Sequence, residues 1–237
     1  MNTFILVHGA WHGAWCWYKI VPLLEKAGHR AIAVDLPGLG QDRTPLRDVS
    51  LQSFVDRVCS TFDRQTGRVI LVGHSRGGIV ISQTAEQRPA RVRTLVYLAA
   101  FLLPGGQALL PVAMNDTRSL LLRNLVVNED QGYLTVRREA YREAMYGDCS
   151  DEDVTLASSL LTPEPIAPCA TPLDLSERNF GRVPRIYIET RCDNALTLSA
   201  QRGMVAALPC DEVISLNTSH SPFFSAPQEL AYHLASL

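Results

Sequence analysis

The chain has 237 residues, 46% of them hydrophobic, enough to bury one sizeable core with room for an inserted subdomain. Its formal net charge is −2 and it carries no basic run or basic helix face, which removes the electrostatic footprint of a nucleic-acid or acidic-lipid binder. Small molecules are therefore the expected partners, with no nucleic acid and no membrane. The opening "MNTFILVHGA" holds only a short apolar run, unlike a secretory signal or a membrane span. The six cysteines are scattered without metal-ligand spacing, so a reduced, cytoplasmic protein with no bound metal is expected.

In chain order, "TFILVHG" reads as a strand and "WYKIVPLLEKAGH" as a helix stopped at Gly28. "RAIAVDLPG" is a second strand ending in a Pro-Gly turn. "SLQSFVDRVCSTFDRQTG" is a helix with Ser50 as its N-cap. "RVILVG" is a third strand, followed by the turn "HSRGG" and the helix "GIVISQTAEQR". "RVRTLVYLAAF", "RVPRIYIET" and "DEVISLN" complete the strands, with "TLSAQRGMVAALP" and "SAPQELAYHLASL" as the last helices. Strands that are apolar almost throughout, separated by helices, predict an α/β fold with a doubly wound, mostly parallel six-stranded sheet covered on both faces.

Between residues 103 and 182 the strand patterns give way to helical or Pro-rich segments: "NDTRSLLLRNLVV", "RREAYREAMYG", "DEDVTLASSLL" and "TPEPIAPCATPLD". A structureless loop of that length is improbable in a compact domain, so an inserted helical lid is expected here. It would sit in one domain whose core is 1–102 and 183–237.

Gly73-His74-Ser75-Arg76-Gly77 matches G-x-S-x-G with a strand before it and a helix after it. Such a turn holds its serine in strained backbone geometry, and side chains at the flanking glycines would collide. The following helix aims its free N–H groups at the same place. An ordinary strand-to-helix turn with a serine N-cap is the bland alternative. A nucleophilic serine needs a base oriented by a carboxylate, in the chain order Ser, acid, His. His220 in "NTSHSPF" follows the last strand, whereas His233 lies inside the final helix, so His220 is the expected base. In "RIYIETRCDNALT", Asp193 lies in the loop after the strand and is the expected acid. Glu189, within the strand, reads as a buried structural partner.

Two N–H donors are needed for the oxyanion, and the backbones of Arg76 and Ala10 in "HGAWHGAW" are expected to supply them. The Arg76 side chain itself is expected to turn outward or pair with an acid. His8 and His12 are expected to shape their loop through hydrogen bonds. Trp11, Met114, Tyr133, Met145 and Phe223 are the candidate lining of an apolar substrate pocket, alongside Trp15, Trp17 and Tyr146 as further aromatic neighbours.

Taken with these residues, the chain resembles the α/β-hydrolases of the hydroxynitrile lyase and plant methylesterase branch, with their bacterial carboxylesterase relatives. The likeness runs through "FILVHGAWHGAWCWYKIVPLLEKAGHRAIAVDLPG", "GHSRGG", "YGDCSDEDVTLASSLLTPEP", "RIYIETRCDNALT" and "SHSPFFSAP". The resemblance implies the α/β-hydrolase fold, a Ser75–Asp193–His220 triad, the Ala10 and Arg76 amides as oxyanion hole, and no cofactor. It leaves a homodimer open. A lyase of this branch uses a lysine after the catalytic histidine and a threonine in the first loop; here Ser221 follows His220 and Gly9 follows His8. Hydrolysis of a small, largely apolar ester, with a methyl ester among the candidates, is therefore expected over cyanohydrin cleavage. A ligand-sensing receptor on the same fold is the non-enzyme alternative and would bind tightly with little turnover.

Overall fold

The computed structural model describes residues 1–237. Its strands are β1 (Thr3–Val7), β2 (Arg30–Val34), β3 (Val69–His74), β4 (Val92–Leu98), β5 (Leu125–Asn128), β6 (Tyr133–Val136), β7 (Glu164–Pro165), β8 (Arg185–Thr190) and β9 (Glu212–Leu216). Six of them form one sheet in the order β2-β1-β3-β4-β8-β9, every pair parallel. These are the six strands the apolar runs predict. Side chains alternate along each strand, so the sheet feeds two cores. Ile5, Val7 and Leu71 join Phe54 and Phe62 on one face, while Phe4, Leu6 and Val72 join Trp17 and Phe223 on the other.

Strand order explains where a site must lie. The chain leaves β1 toward β2 on one side and leaves β3 toward β4 on the other, although β1 and β3 are neighbours. Loops that part in opposite directions open a crevice at the carboxyl ends of the two strands. The turn at Ser75 and the loop starting at His8 both leave from that crevice. The helix Gly77–Gln87 then runs beneath the sheet with residues 77 to 85 all buried, which makes it a rigid support.

The 103–182 stretch differs from the sequence expectation in one respect. It is not helical throughout: β5, β6 and β7 form a separate antiparallel sheet, with β5 and β6 joined by a turn at 129–132. The predicted helix over "NDTRSLLLRNLVV" shrinks to Leu120–Arg123, and its "LVV" end is β5. Strands of four, four and two residues are too short to show a period-two pattern, and β5 lies at the rim with Val126 and Val127 exposed. The helices expected over "DEDVTLASSLL" and near "RREAYREAMYG" do form, at Asp151–Leu160 and Tyr141–Met145. No helix is long and apolar enough to cross a membrane.

Candidate active site

Ser75 stands between β3 and the helix Gly77–Gln87 with φ +52°, a left-handed conformation that side chains rarely adopt. Three surrounding hydrogen bonds hold it there: its N–H donates to Leu98 O (3.1 Å), and its carbonyl accepts from Gly78 N (3.1 Å) and Phe101 N (3.0 Å). The flanking glycines are sterically required. A Cβ on Gly73 would come 2.7 Å from Gly77 O, and one on Gly77 would come 2.8 Å from Val7 O. Ser75 Oγ makes no hydrogen bond to another protein group and faces a cavity that His220 also lines.

His220 follows β9 and is buried. Its Nδ1–H donates to Asp193 Oδ2 at 2.7 Å, which leaves Nε2 as the atom with a free lone pair. Asp193 follows β8 and is held from every side. Oδ1 accepts from the amides of Ala195 (2.8 Å) and Leu196 (2.9 Å), and Oδ2 accepts from Thr190 Oγ1 (2.8 Å) and Gln201 Nε2 (3.3 Å). That many donors fix the plane of the carboxylate. Glu189 is engaged elsewhere, by Arg202 (2.7 and 2.9 Å) and Ser215 Oγ (2.7 Å), as a paired structural carboxylate.

The amides of Ala10 and Arg76 donate to no protein acceptor, and both residues line the same cavity as Ser75 and His220. Unengaged N–H groups beside a serine hydroxyl are what developing negative charge on a substrate oxygen requires. His8 and His12 do shape this loop: His8 Nδ1–H donates to Gly9 O (2.8 Å) and His12 Nδ1–H to Ala10 O (2.7 Å). His8 Nε2 accepts from Leu36 N (3.2 Å), and His12 Nε2 accepts from Tyr146 Oη (2.7 Å). His74 donates through Nε2 to the His220 carbonyl (2.9 Å) and packs its ring against that of His220, centroids 4.6 Å apart.

These three histidines share an electrostatic consequence. Burial lowers the pKa of His12 from 6.5 to about 4, the Ala10 carbonyl opposing and His220 and Arg76 adding to it. Burial likewise holds His8 and His74 well below the ordinary histidine value, assisted by Arg76 at His8 and by His220 at His74. An unfolded chain protonates these rings near 6.5, the folded one only at lower pH. Between the two values the unfolded state binds more protons, so stability falls as pH falls, and well above the unfolded value the effect vanishes. His12 alone should remove about 3 kcal/mol between roughly pH 7.5 and pH 4. Urea unfolding at stepped pH should show the midpoint dropping steadily across that window; a flat midpoint would contradict the neutral assignment.

Of the expected pocket residues only Trp11 lines the cavity. Met114 stands 63% exposed, and Tyr133 turns its hydroxyl to Asn128 Nδ2 (3.2 Å). Met145 is buried in the core beneath the 103–182 stretch, and Phe223 packs behind the histidines, 4.9 Å from the His74 ring centroid. The cavity wall is instead 13 of 18 residues hydrophobic, seven of them leucines, chiefly from 109–110, 121–125 and 134. Trp15 and Trp17 belong to the core side of the same loop, and Tyr146 is the partner of His12.

The Arg76 side chain takes the second of its two expected courses, pairing with an acid, but sequence reasoning misses which acid and that the pair is buried. The Arg76 side chain turns inward, 1% exposed, and pairs with fully buried Glu164 of β7, Nε to Oε1 2.8 Å. Its guanidinium lies 4.7 Å from the centre of the Phe54 ring. Burial raises the Glu164 pKa, opposed by Arg76 and by the Trp11 N–H that donates to Oε2 (3.0 Å). Nothing local marks this pair, because its halves come from the elbow and from a two-residue strand.

The 103–182 stretch is tied to all three loops around Ser75. It reaches the first loop through Thr162 N to Trp11 O (3.0 Å) and Trp11 Nε1 to Leu134 O (2.9 Å). It reaches the Asp193 loop through Asp116, which accepts from Thr197 N (2.8 Å) and Oγ1 (2.9 Å), and through Ser119 Oγ to Ala195 O (2.6 Å). Asp148 accepts from Ser219 N (2.9 Å) beside His220.

A parallel sheet with a strained serine at its crevice, an aspartate-bound histidine and two free amides defines the α/β-hydrolase class. Residues 4–231 match the model of the Alpha/beta hydrolase family, and the chain belongs to that family. It is similar to Methylesterase 7 of Arabidopsis thaliana, 33% identical over 97% of this chain and 93% of that one. Among solved structures, a pyrethroid hydrolase from Sphingobium faniae JZ-2 superposes with TM-score 0.90 at 32% identity, covering 99% of this chain and 96% of that one. Polyneuridine aldehyde esterase superposes with TM-score 0.89 at 26% identity over 100% and 98% of the two chains. The chain spans only 62%, 55% and 54% of three longer Arabidopsis thaliana relatives whose names place them among methylesterases and in the chloroplast.

Proposed function

We propose that the protein is a serine carboxylic ester hydrolase acting on small, largely apolar esters through an acyl-enzyme, with Ser75, Asp193 and His220 as its catalytic residues. The observation that carries this reading is one shared cavity: Ser75, the Asp193-bound His220 ring and the residues of two undonated amides all border it. The esterase and hydrolase names of its relatives support the same reaction class.

In the proposed sequence, His220 Nε2 takes the Ser75 hydroxyl proton as Oγ bonds to the ester carbonyl carbon. The carbonyl π electrons move onto oxygen, which the Ala10 and Arg76 amides receive. The imidazolium, stabilised by Asp193, returns its proton to the leaving alcohol as the C–O bond breaks. A water then repeats the exchange, releasing the acid and restoring Ser75. No step calls for a metal or cofactor. The leucine-rich wall suits an apolar acyl or alcohol group, and a methyl ester fits the pattern of the relatives.

The 103–182 insert is read as a fixed roof more than a moving lid, since its hydrogen bonds run to every loop of the site. Six free cysteines, four of them buried, suit a reducing compartment, and the cytoplasm is the one proposed. A lyase role is disfavoured because no lysine borders the cavity and its arginine, Arg76, is already paired with Glu164.

A fluorophosphonate probe tests the assignment directly. Ser75 Oγ should displace fluoride and become labelled, and Ser75→Ala should abolish the label. Labelling that persists in Ser75→Ala, read by intact mass, would remove Ser75 as the nucleophile.

A further inference from the structure

The Gly9–Ala10 peptide supplies one of the two amides proposed to hold the oxyanion, and its orientation has an identifiable origin. A trans peptide directs its C=O and N–H in opposite senses, so whatever grips Gly9 O also aims Ala10 N–H. Two donors grip it: His8 Nδ1 at 2.8 Å and Arg76 Nη2 at 3.1 Å. The next peptide is gripped as well. Its carbonyl, Ala10 O, accepts from His12 Nδ1 (2.7 Å), and its N–H, that of Trp11, donates to Glu164 Oε2 (3.0 Å). Glu164 Oε1 in turn forms a buried ion pair with Arg76 Nε, 2.8 Å away. Trp11 sits at φ +63°, a backbone state that needs such support from outside.

We propose that the buried Arg76–Glu164 pair is a positioning device that locks the two peptides flanking Ala10, so that the Ala10 N–H is preset toward the substrate oxygen. The inference rests on the ester-hydrolase reading above. Neither side chain needs to touch the reacting atoms. Arg76 thus serves twice: its undonated backbone N–H belongs to a residue that borders the cavity, while its side chain reaches around to set the other donor. Glu164 connects that arrangement to the 103–182 insert, which gives the insert a role in catalysis as well as in shaping the cavity. Arginine suits the task because its planar fork can bond a carboxylate and a carbonyl together, which a lysine ammonium on a flexible stem does poorly.

The test compares wild type with Arg76→Lys, Arg76→Met and the double variant Arg76→Met/Glu164→Gln. Single removal of Arg76 strands a buried carboxylate and can cost the fold. The double variant removes both charges, while the amide oxygen introduced by Glu164→Gln can still accept from Trp11 N–H. Steady-state hydrolysis of p-nitrophenyl acetate is measured together with inhibition by a trifluoromethyl ketone, whose adduct oxygen would occupy the oxyanion site. In the folded double variant kcat should fall about 10- to 100-fold with KM little changed, and the ketone should weaken by a similar factor. Arg76→Lys should lie between the two. A folded double variant with wild-type kcat, or one that loses only KM, would overturn the positioning role. If neither methionine variant folds, Arg76→Lys decides alone: wild-type kcat and ketone affinity would overturn the proposal. Ser75→Ala, assayed beside them, separates the two readings: turnover surviving there rejects the hydrolase assignment, whereas inactivity there with unaffected Arg76 variants rejects only the positioning one.

Discussion

Replacing His220 with alanine should lower kcat by about 10⁶-fold while KM stays within a few-fold of wild type. In the proposed mechanism the ring has a single chemical duty at the cavity: Nε2 accepts the Ser75 proton and later returns it. Its removal strips the reaction of base and acid together without touching the apolar wall that would hold the substrate. The fold should survive, because the contacts around the ring do not depend on it. Asp193 keeps four donors from Thr190, Ala195, Leu196 and Gln201. His74 donates to the backbone carbonyl of residue 220, which alanine retains. A double variant with Ser75→Ala should lose little beyond either single change, since nucleophile and base act as one unit. Steady-state kinetics on a p-nitrophenyl ester checks both statements. A His220→Ala protein within about tenfold of wild type would require a different base.

The residues legible from sequence are those whose placement is a short-range matter. Ser75 announces itself because a strand, a glycine pair and a helix within a few residues of it dictate the local backbone. Asp193 and His220, the proposed acid and base, follow from standing after successive strands, and a parallel sheet gathers all such strand ends on one side. Ala10 is readable for the same reason, one loop earlier. Glu164 is not readable, because its meaning comes from Trp11, 153 residues away, and from an arginine whose position at a helix start suits an exposed side chain equally well. The cavity wall eludes the sequence on similar grounds. Residue type favours Met114, Tyr133, Met145 and Phe223, whereas the wall is set by which faces of very short elements point inward, and these yield leucines. Strands of two to four residues carry too few positions for a period to appear, so β5, β6 and β7 are visible only in the folded chain.

Asp193→Asn offers the second large effect, and the hydrogen bonds around the carboxylate make an almost isosteric change costly. The Ala195 and Leu196 amides both point at one carboxylate oxygen, so an asparagine must place its own oxygen there. Its NH₂ group then occupies the Oδ2 position, facing His220 Nδ1 and the donor Gln201 Nε2. An N–H aimed at Nδ1 forces the imidazole into its Nε2–H tautomer, which presents a proton to Ser75 where a lone pair is needed. The expected loss in kcat is about 10⁴-fold with KM nearly constant. Thermal unfolding should move down modestly, from the new donor–donor contact with Gln201. NMR of the imidazole nitrogens in the variant should place the His220 proton on Nε2, whereas in wild type Nδ1–H donates to Asp193. An inactive variant that keeps the proton on Nδ1 would mean that Asp193 acts through packing of the loop. A switched tautomer in a folded, inactive protein would mean that it acts by choosing which nitrogen of His220 carries the proton.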